Sequence, residues 1–338
     1  MKKTGGKTVL LKEILFILKE STINDSELYG EFERTASYIE ENNFIVKIQS
    51  EESDKWIATY EKGNLEDDLE QCSCVSNEDG NIAISKEKIL VVCDNPEKAK
   101  ELSKRGFYCI GVQHKQNTND EFTEVKYVFT ELEEVDIDSF VKVYQRYANE
   151  PWEVIKTDRL IIRETTVDDV DEFYKLYKEP EMTQYMEGLF ENPEDEKRYQ
   201  KDYIEKVYGL LGFGVWTLVK ASDNTVIGRA GYSIRNGFDE IELGFLIGKK
   251  YQRQGYAFEA CKAILEYGRD VLNFDKVQTL VKKENQISIN LCKKLGFKEI
   301  EEVTVEENIY GNGYSGPDTV NFSEAKYGKY LKMDIQLN

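Results

Sequence analysis

The stretch KKYQRQGYAFEACKAILEYGRD, Lys249 to Asp270, sets Gln252, Gly255 and Ala257 at Q-x-x-G-x-A spacing where a helical pattern begins. A helix N-terminus carries unpaired N–H groups and about half a positive charge, so it holds phosphate well. Gly255 lets the backbone approach a bulky anion closely, and Ala257 keeps the next turn small. The spacing predicts a pyrophosphate cradle at the head of a helix. A second glycine pair, in TGGKT (Thr4–Thr8), mimics the end of a Walker A loop. The first glycine of G-x-x-x-x-G-K-[ST] would fall on Met1, and no strand can precede it, so no nucleoside triphosphate site is expected there. YGNGYSGPD (Tyr310–Asp318) precedes no helical run and reads as a flexible loop or lid rather than a cradle.

The cradle needs a strand before it and a helix after it, and the pattern supplies both. EIELGFLIGKK reads as a strand ending near Ile247 and Gly248. Upstream, RLIIRE is a strand, TVDDVDEFYKLYKE and PEDEKRYQKDYIEKVYGLL are helices, and GFGVWTLVK and TVIGRAGYSIR are strands joined by ASDN. Downstream, KVQTLVKK is a strand, NQISINLCKKL a helix stopped by Gly296, and KYLKMDIQL a closing strand. The order β-α-α-β-β-β-α-β-α-β implies an α+β layer fold with one mixed central sheet flanked by helices.

A helix over about 137–147 ends near Asn149, and Pro151 follows, which places a boundary near 150–158. The expected domains are therefore 1–150 and 156–338. The first part reads as helices with a few strands. Leu11, Ile14, Leu15 and Leu18 fit an amphipathic helix. Ile89 to Val92 form a continuous apolar run, the mark of a buried parallel strand. NPEKAKELSKRGF is a helix with Asn95 as N-cap, Pro96 in its first turn and Gly106 as its stop, and YCIGV is a second strand. This β-α-β unit indicates a smaller α/β, Rossmann-like domain.

The chain has 338 residues and a net charge of −19. Such a field repels nucleic acid and anionic lipid; it either favours a neutral or basic acceptor or, more simply, keeps the protein soluble. No nucleic-acid or membrane partner is expected. The six cysteines, Cys72, Cys74, Cys93, Cys109, Cys261 and Cys292, form no zinc spacing, and His114 is the single histidine, so no metal is expected. Scattered thiols without a signal peptide or a spanning segment read as a cytoplasmic protein. The sequence leaves the oligomeric state open.

Three motifs in order give the second half its resemblance. The Gln252–Ala257 segment resembles motif A of the GNAT acyl-CoA-dependent N-acetyltransferases, NQISINLCKKLGFKE (Asn285–Glu299) resembles the family's next motif, and TDRLIIRETTVDDVDEFYKLYKEPEMTQYM resembles the start of the subgroup that acetylates ribosomal-protein N-termini and related amines. The resemblance implies acetyl-CoA as co-substrate and a small-molecule amine or protein N-terminus as acceptor. It implies that Phe245, Leu246 and Ile247 pair with the pantetheine arm. Gln252, Arg253, Gln254, Gly255, Tyr256, Ala257 and Phe258 would form the pyrophosphate turn, and Asn285 would hydrogen-bond the pantetheine or stabilise that loop. The family's thiolate-protonating tyrosine falls on Cys292, read here as a buried structural thiol. A glutamate base found in some members falls on Leu280. Glu242 and Glu240, two apart on one strand and so on one face, are the remaining carboxylates for that role; otherwise both are solvent-facing strand charges and the acceptor amine arrives already deprotonated. Trp216, Tyr185 and Phe213 are candidates for an acceptor pocket, or plain core.

In the first half, ILVVCDNPEKAKELSKRGFYCIGV resembles the last β-α-β of haloacid dehalogenase-like phosphatases. That family needs a D-x-D pair after its first strand, and none precedes Asp94. The resemblance therefore implies a degenerate, noncatalytic domain. Two other functions compete with acetyl transfer: a module that senses acyl-CoA without reacting, and a phosphatase carried by the first half.

Overall fold

The computed structural model describes residues 11–53, 56–60, 74–76, 82–84, 88–307, 313, 314, 316 and 326–338. TGGKT, Cys72 and most of 310–318 lie outside them. The chain divides into two compact units between Glu150 and Pro151.

The first unit contains β1 (Glu13–Leu18), α1 (Glu20–Asn24), α2 (Ser26–Glu41), β2 (Ile45–Ser50), β3 (Trp56–Tyr60), β4 (Cys74–Ser76), β5 (Ile82–Ile84), β6 (Ile89–Cys93), α3 (Pro96–Lys104), β7 (Tyr108–Val112), β8 (Tyr127–Phe129) and α4 (Ile137–Ala148). Its main sheet runs β3-β2-β1-β6-β7-β8, parallel except for the antiparallel edge strand β3. One face carries α2 and α4 through Phe32, Ile39, Phe140 and Tyr144. The other carries α3 through Ala99 and Leu102.

The structure corrects the amphipathic helix expected around Leu11 to Leu18. Glu13–Leu18 is a strand, and it lies between β2 and β6. The helical spacing is present, but Phe16 and Ile17 fill its gaps with apolar side chains. A strand covered on both faces needs such an unbroken run. Phe16 packs toward α2, and Ile17 packs on the α3 side. The caps of α3 match the sequence: Asn95 Oδ1 accepts from the Glu97 N–H at 3.0 Å, and Gly106 takes φ +84°.

The second unit contains β9 (Glu153–Lys156), β10 (Leu160–Arg163), α5 (Val170–Tyr177), α6 (Pro193–Tyr203), a π-helical turn (Ile204–Tyr208), α7 (Gly209–Leu211), β11 (Val215–Lys220), β12 (Val226–Ser233), β13 (Ile241–Ile247), α8 (Tyr256–Asp270), β14 (Lys276–Lys282), α9 (Gln286–Leu295), β15 (Lys298–Glu307) and β16 (Lys326–Gln336). They build an eight-stranded mixed sheet, ordered β15-β16-β14-β13-β12-β11-β10-β9. Trp216 and Phe213 sit in its buried core with Tyr232, Ala260 and Ile264, so they do not line an acceptor pocket. Tyr185 is half-buried in the segment between α5 and α6.

Candidate active site

β13 and β14 are the one parallel pair of the second sheet, and their register covers only Ile241↔Val277 and Glu242↔Gln278. Each strand keeps its outer neighbour over a longer stretch: β12 stays with β13 to Ile247, and β16 with β14 to Lys282. The two strands therefore part after Glu242 and Gln278. Among the described residues, the β14-facing backbone edge of β13 from Leu243 onward has no strand partner. Phe245, Leu246 and Ile247 lie on this splayed stretch.

The chain leaves β13 at Gly248 and makes a short 3-10 turn, Lys249–Tyr251. It then passes through two left-handed residues, Arg253 at φ +60° and Gly255 at φ +86°, before α8 starts at Tyr256. Gly255 has no side chain to cap α8, and among the described residues no side chain accepts from its first N–H groups, which suits them to an external acceptor. Gln252 does not point at that opening. Its Nε2 donates to the Ile247 carbonyl at 2.9 Å and lies 3.6 Å from Met182 Sδ. Gln254 Nε2 likewise donates to the Lys250 carbonyl at 3.0 Å. These two glutamines brace the turn internally. Tyr256 is buried in the core, and Ala257 packs partly against it. Phe258 lies under the Lys294 ammonium, 4.5 Å from the ring centre.

A second support comes from the turn between β9 and β10. Arg159 Nη1 donates to the Gln254 carbonyl at 3.0 Å, and its Nε donates to Glu259 Oε2 at 2.6 Å. The Thr157 hydroxyl donates to the same carboxylate at 2.6 Å. The guanidinium also stacks 4.5 Å over the Tyr256 ring. Sequence reasoning missed these residues: no local pattern joins positions about a hundred apart.

Asn285 caps α9, its Oδ1 accepting from the Ser288 N–H at 3.1 Å. Cys292 lies on that helix and is fully buried; burial pushes its thiol up to about 12. Burial likewise raises Cys109 to about 11, and it raises Cys93 and Cys261 further. We expect these four thiols to resist iodoacetamide at pH 8 in the folded protein and to react once it is unfolded, as read by mass spectrometry. Labelling of Cys292 in the native protein would contradict the inert assignment.

The two candidate carboxylates differ sharply. Glu240 binds Lys276 Nζ at 2.8 Å and Lys332 Nζ at 3.5 Å, and its hydrogen bond to Lys276 pulls it below the usual carboxylate range. Glu242 is buried at the last rung before the splay, held by the Arg235 guanidinium from the loop before β13. Beside it on β14 is Gln278, whose Nε2 donates to the Glu240 carbonyl at 3.0 Å and whose buried Oε1 has no partner. Among the described residues, no group of three or more His, Cys, Asp or Glu is placed to hold a metal ion. None of their helices is long and apolar enough to cross a membrane.

Residues 159–298 match the family model described as an acetyltransferase (GNAT) domain. The chain is 30% identical over 149 residues to the uncharacterized N-acetyltransferase YnaD of Bacillus subtilis, covering 43% of this chain and 82% of that protein. It is 28% identical over 153 residues to the uncharacterized N-acetyltransferase p20 of Bacillus licheniformis, covering 44% and 83%. A shorter match to the spermidine N(1)-acetyltransferase of Escherichia coli K12 is 39% identical over 70 residues, covering 21% and 38%. The chain belongs to the GNAT acetyltransferase family. It is an acyl-CoA-dependent N-acyltransferase of that family, which uses acetyl-CoA.

Proposed function

We propose that this protein transfers an acetyl group from acetyl-CoA to a primary amine, by direct attack within a ternary complex. The observation that carries the reading is the splay of β13 from β14 beside an uncapped α8 that starts at a left-handed glycine. The open N–H groups of α8 suit a pyrophosphate, and the unpaired edge of β13 around Phe245 to Ile247 suits the amides of a pantetheine arm. Gln252 and Gln254 then serve the cofactor indirectly, by shaping the turn, and Asn285 by fixing the start of α9. Titrating the protein with CoA by calorimetry tests this assignment; absence of binding would contradict it.

In the reaction, the neutral amine nitrogen attacks the thioester carbonyl carbon. An N–H of the open strand edge stabilises the resulting oxyanion. The C–S bond then breaks, the sulfur leaves as a thiolate and takes up a proton, and the nitrogen loses one. Glu242 receives the amine's proton, through a water. Glu240 is not given this role: it precedes β13, and Lys276 and Lys332 bind its carboxylate. Cys292 does not protonate the leaving sulfur, because it is sealed in the core. A CoA thiolate needs no strong acid at neutral pH, so solvent can supply that proton. The acceptor is a small-molecule amine or a protein N-terminus, consistent with a strongly acidic chain and with a spermidine-acetylating relative. A cytoplasmic location fits both co-substrates.

We read the first unit as a degenerate haloacid dehalogenase-like domain without phosphatase chemistry. Asp94 at the end of β6 is fully buried. It accepts from the Lys19 N–H at 2.9 Å and the Thr22 hydroxyl at 2.5 Å, and His114 Nε2 lies 3.3 Å away. Because His114 Nδ1 accepts from the Gln116 N–H at 3.2 Å, the ring proton sits on Nε2 and points to Asp94. The carboxylate is thus occupied by its own chain. Lys19, not an aspartate, follows β1, so a covalent phosphoryl intermediate has no nucleophile there. The protein is expected to show no magnesium-dependent hydrolysis of p-nitrophenyl phosphate. Turnover that disappears in Asp94→Asn would overturn this.

A further inference from the structure

We propose that Arg159 is a positioning residue for the pyrophosphate of acetyl-CoA, fixing the turn before α8 in its anion-accepting shape and neutralising Glu259 beside it. The inference rests on the acyl-CoA reading above. The C=O and N–H of one peptide plane point in opposite directions. Arg159 Nη1 holds the Gln254 carbonyl at 3.0 Å, so the Gly255 N–H of the same peptide is directed away from the arginine. Gln252, Gln254 and the Glu259 N–H, which donates to the Gly255 carbonyl at 3.0 Å, also restrain the turn, but none of them bonds the carbonyl of the Gln254–Gly255 peptide, for which a glycine at φ +86° has alternatives. Arg159 thereby selects one of them.

The second action is electrostatic. Glu259 stands in the first turn of α8, where its carboxylate would repel an incoming phosphate. It is instead drawn toward the β9–β10 turn by Arg159 Nε at 2.6 Å, the Arg159 backbone N–H at 3.1 Å and the Thr157 hydroxyl at 2.6 Å. The guanidinium is about half exposed (46%), so the ion pair itself adds little to folding stability. Its geometry matters more than its stability: only a planar fork can serve a carbonyl and a carboxylate at once while lying on the Tyr256 ring.

The test compares acetyl-CoA with acetyl-pantetheine, which has the thioester but no pyrophosphate, using one amine acceptor. Arg159→Met should lower the ratio of kcat/KM values, acetyl-CoA over acetyl-pantetheine, by about tenfold, the scale of one lost hydrogen bond to a charged group. A residue that only supports the fold would depress both substrates together. Arg159→Lys keeps the charge but not the fork, so its ratio should fall in the same direction and by less; it also serves if Arg159→Met fails to fold. Adding Glu259→Gln to Arg159→Met should recover part of the ratio, because the released carboxylate is gone. An unchanged ratio in Arg159→Met, or equal loss with both thioesters, would overturn the proposal while leaving the acyl-CoA reading intact. A wild-type protein that uses acetyl-CoA no better than acetyl-pantetheine would overturn both.

Discussion

Gly255→Val is expected to weaken CoA binding by about 100-fold or more while the protein stays folded. A β-branched residue at φ +86° is strained by roughly 1–3 kcal/mol or more, and each 1.4 kcal/mol is tenfold in affinity. The position is exposed, so the variant turn relaxes to another conformation instead of unfolding the domain. CoA must then restore the lost geometry from its own binding energy. A Cβ at Gly255 would also come within 3.3 Å of Arg159 Nη2, so the substitution presses on the group that shapes the turn. Gly255→Ala should fall between wild type and valine. Calorimetry with CoA gives the affinities, and thermal denaturation checks the fold. Wild-type affinity in Gly255→Val would mean that the pyrophosphate is held elsewhere.

Glu242→Gln is expected to lower kcat by roughly 10²–10⁴-fold at neutral pH, the usual cost of losing a general base. CoA affinity should hardly change, because the carboxylate sits at the closed end of the splay and not at the head of α8. The deficit should shrink as pH rises, since more of the acceptor is then already neutral and needs no base. Glu240→Gln is the control: its carboxylate is committed to Lys276 and Lys332, and its loss should leave kcat within the same order of magnitude. A Glu242→Gln enzyme with wild-type kcat at every pH would remove the base assignment. Catalysis would then rest on aligning a free amine with the thioester.

The β13–turn–α8 segment was legible because its signals are local. A small residue, a left-handed turn and a helix start all lie within about ten positions. The same holds for α3, whose cap, proline and terminal glycine sit at its own ends. Glu13–Leu18 reads as a helix from sequence because helical spacing and a two-sided buried strand look alike when every position from Ile14 to Leu18 is apolar. Only the parallel neighbours β2 and β6 decide between them. No local pattern encodes the splay, which only the family resemblance implies: it depends on a two-rung register between strands more than thirty residues apart. Nor were the partners that give Glu242, Glu240 and Glu259 different surroundings. Arg235, Lys276 with Lys332, and Arg159 each reach their carboxylate through tertiary structure. The resemblance sets Gln252 in the pyrophosphate turn and leaves Asn285 either a bond to the pantetheine or a loop-stabilising role. Their hydrogen bonds show that each side chain also serves its own backbone, capping α9 and bracing the turn.

The most direct measurement is thiol release from acetyl-CoA across a panel of primary amines, comprising polyamines, amino acids, amino sugars and peptides with free N-termini. The account predicts that at least one class accelerates release far above the amine-free rate, with one acetylated amine formed per thiol and loss of the activity in Gly255→Val. Tight CoA binding with no amine-dependent thiol release from any class would contradict it, and would identify the splayed site as one that holds acyl-CoA without transferring its acyl group.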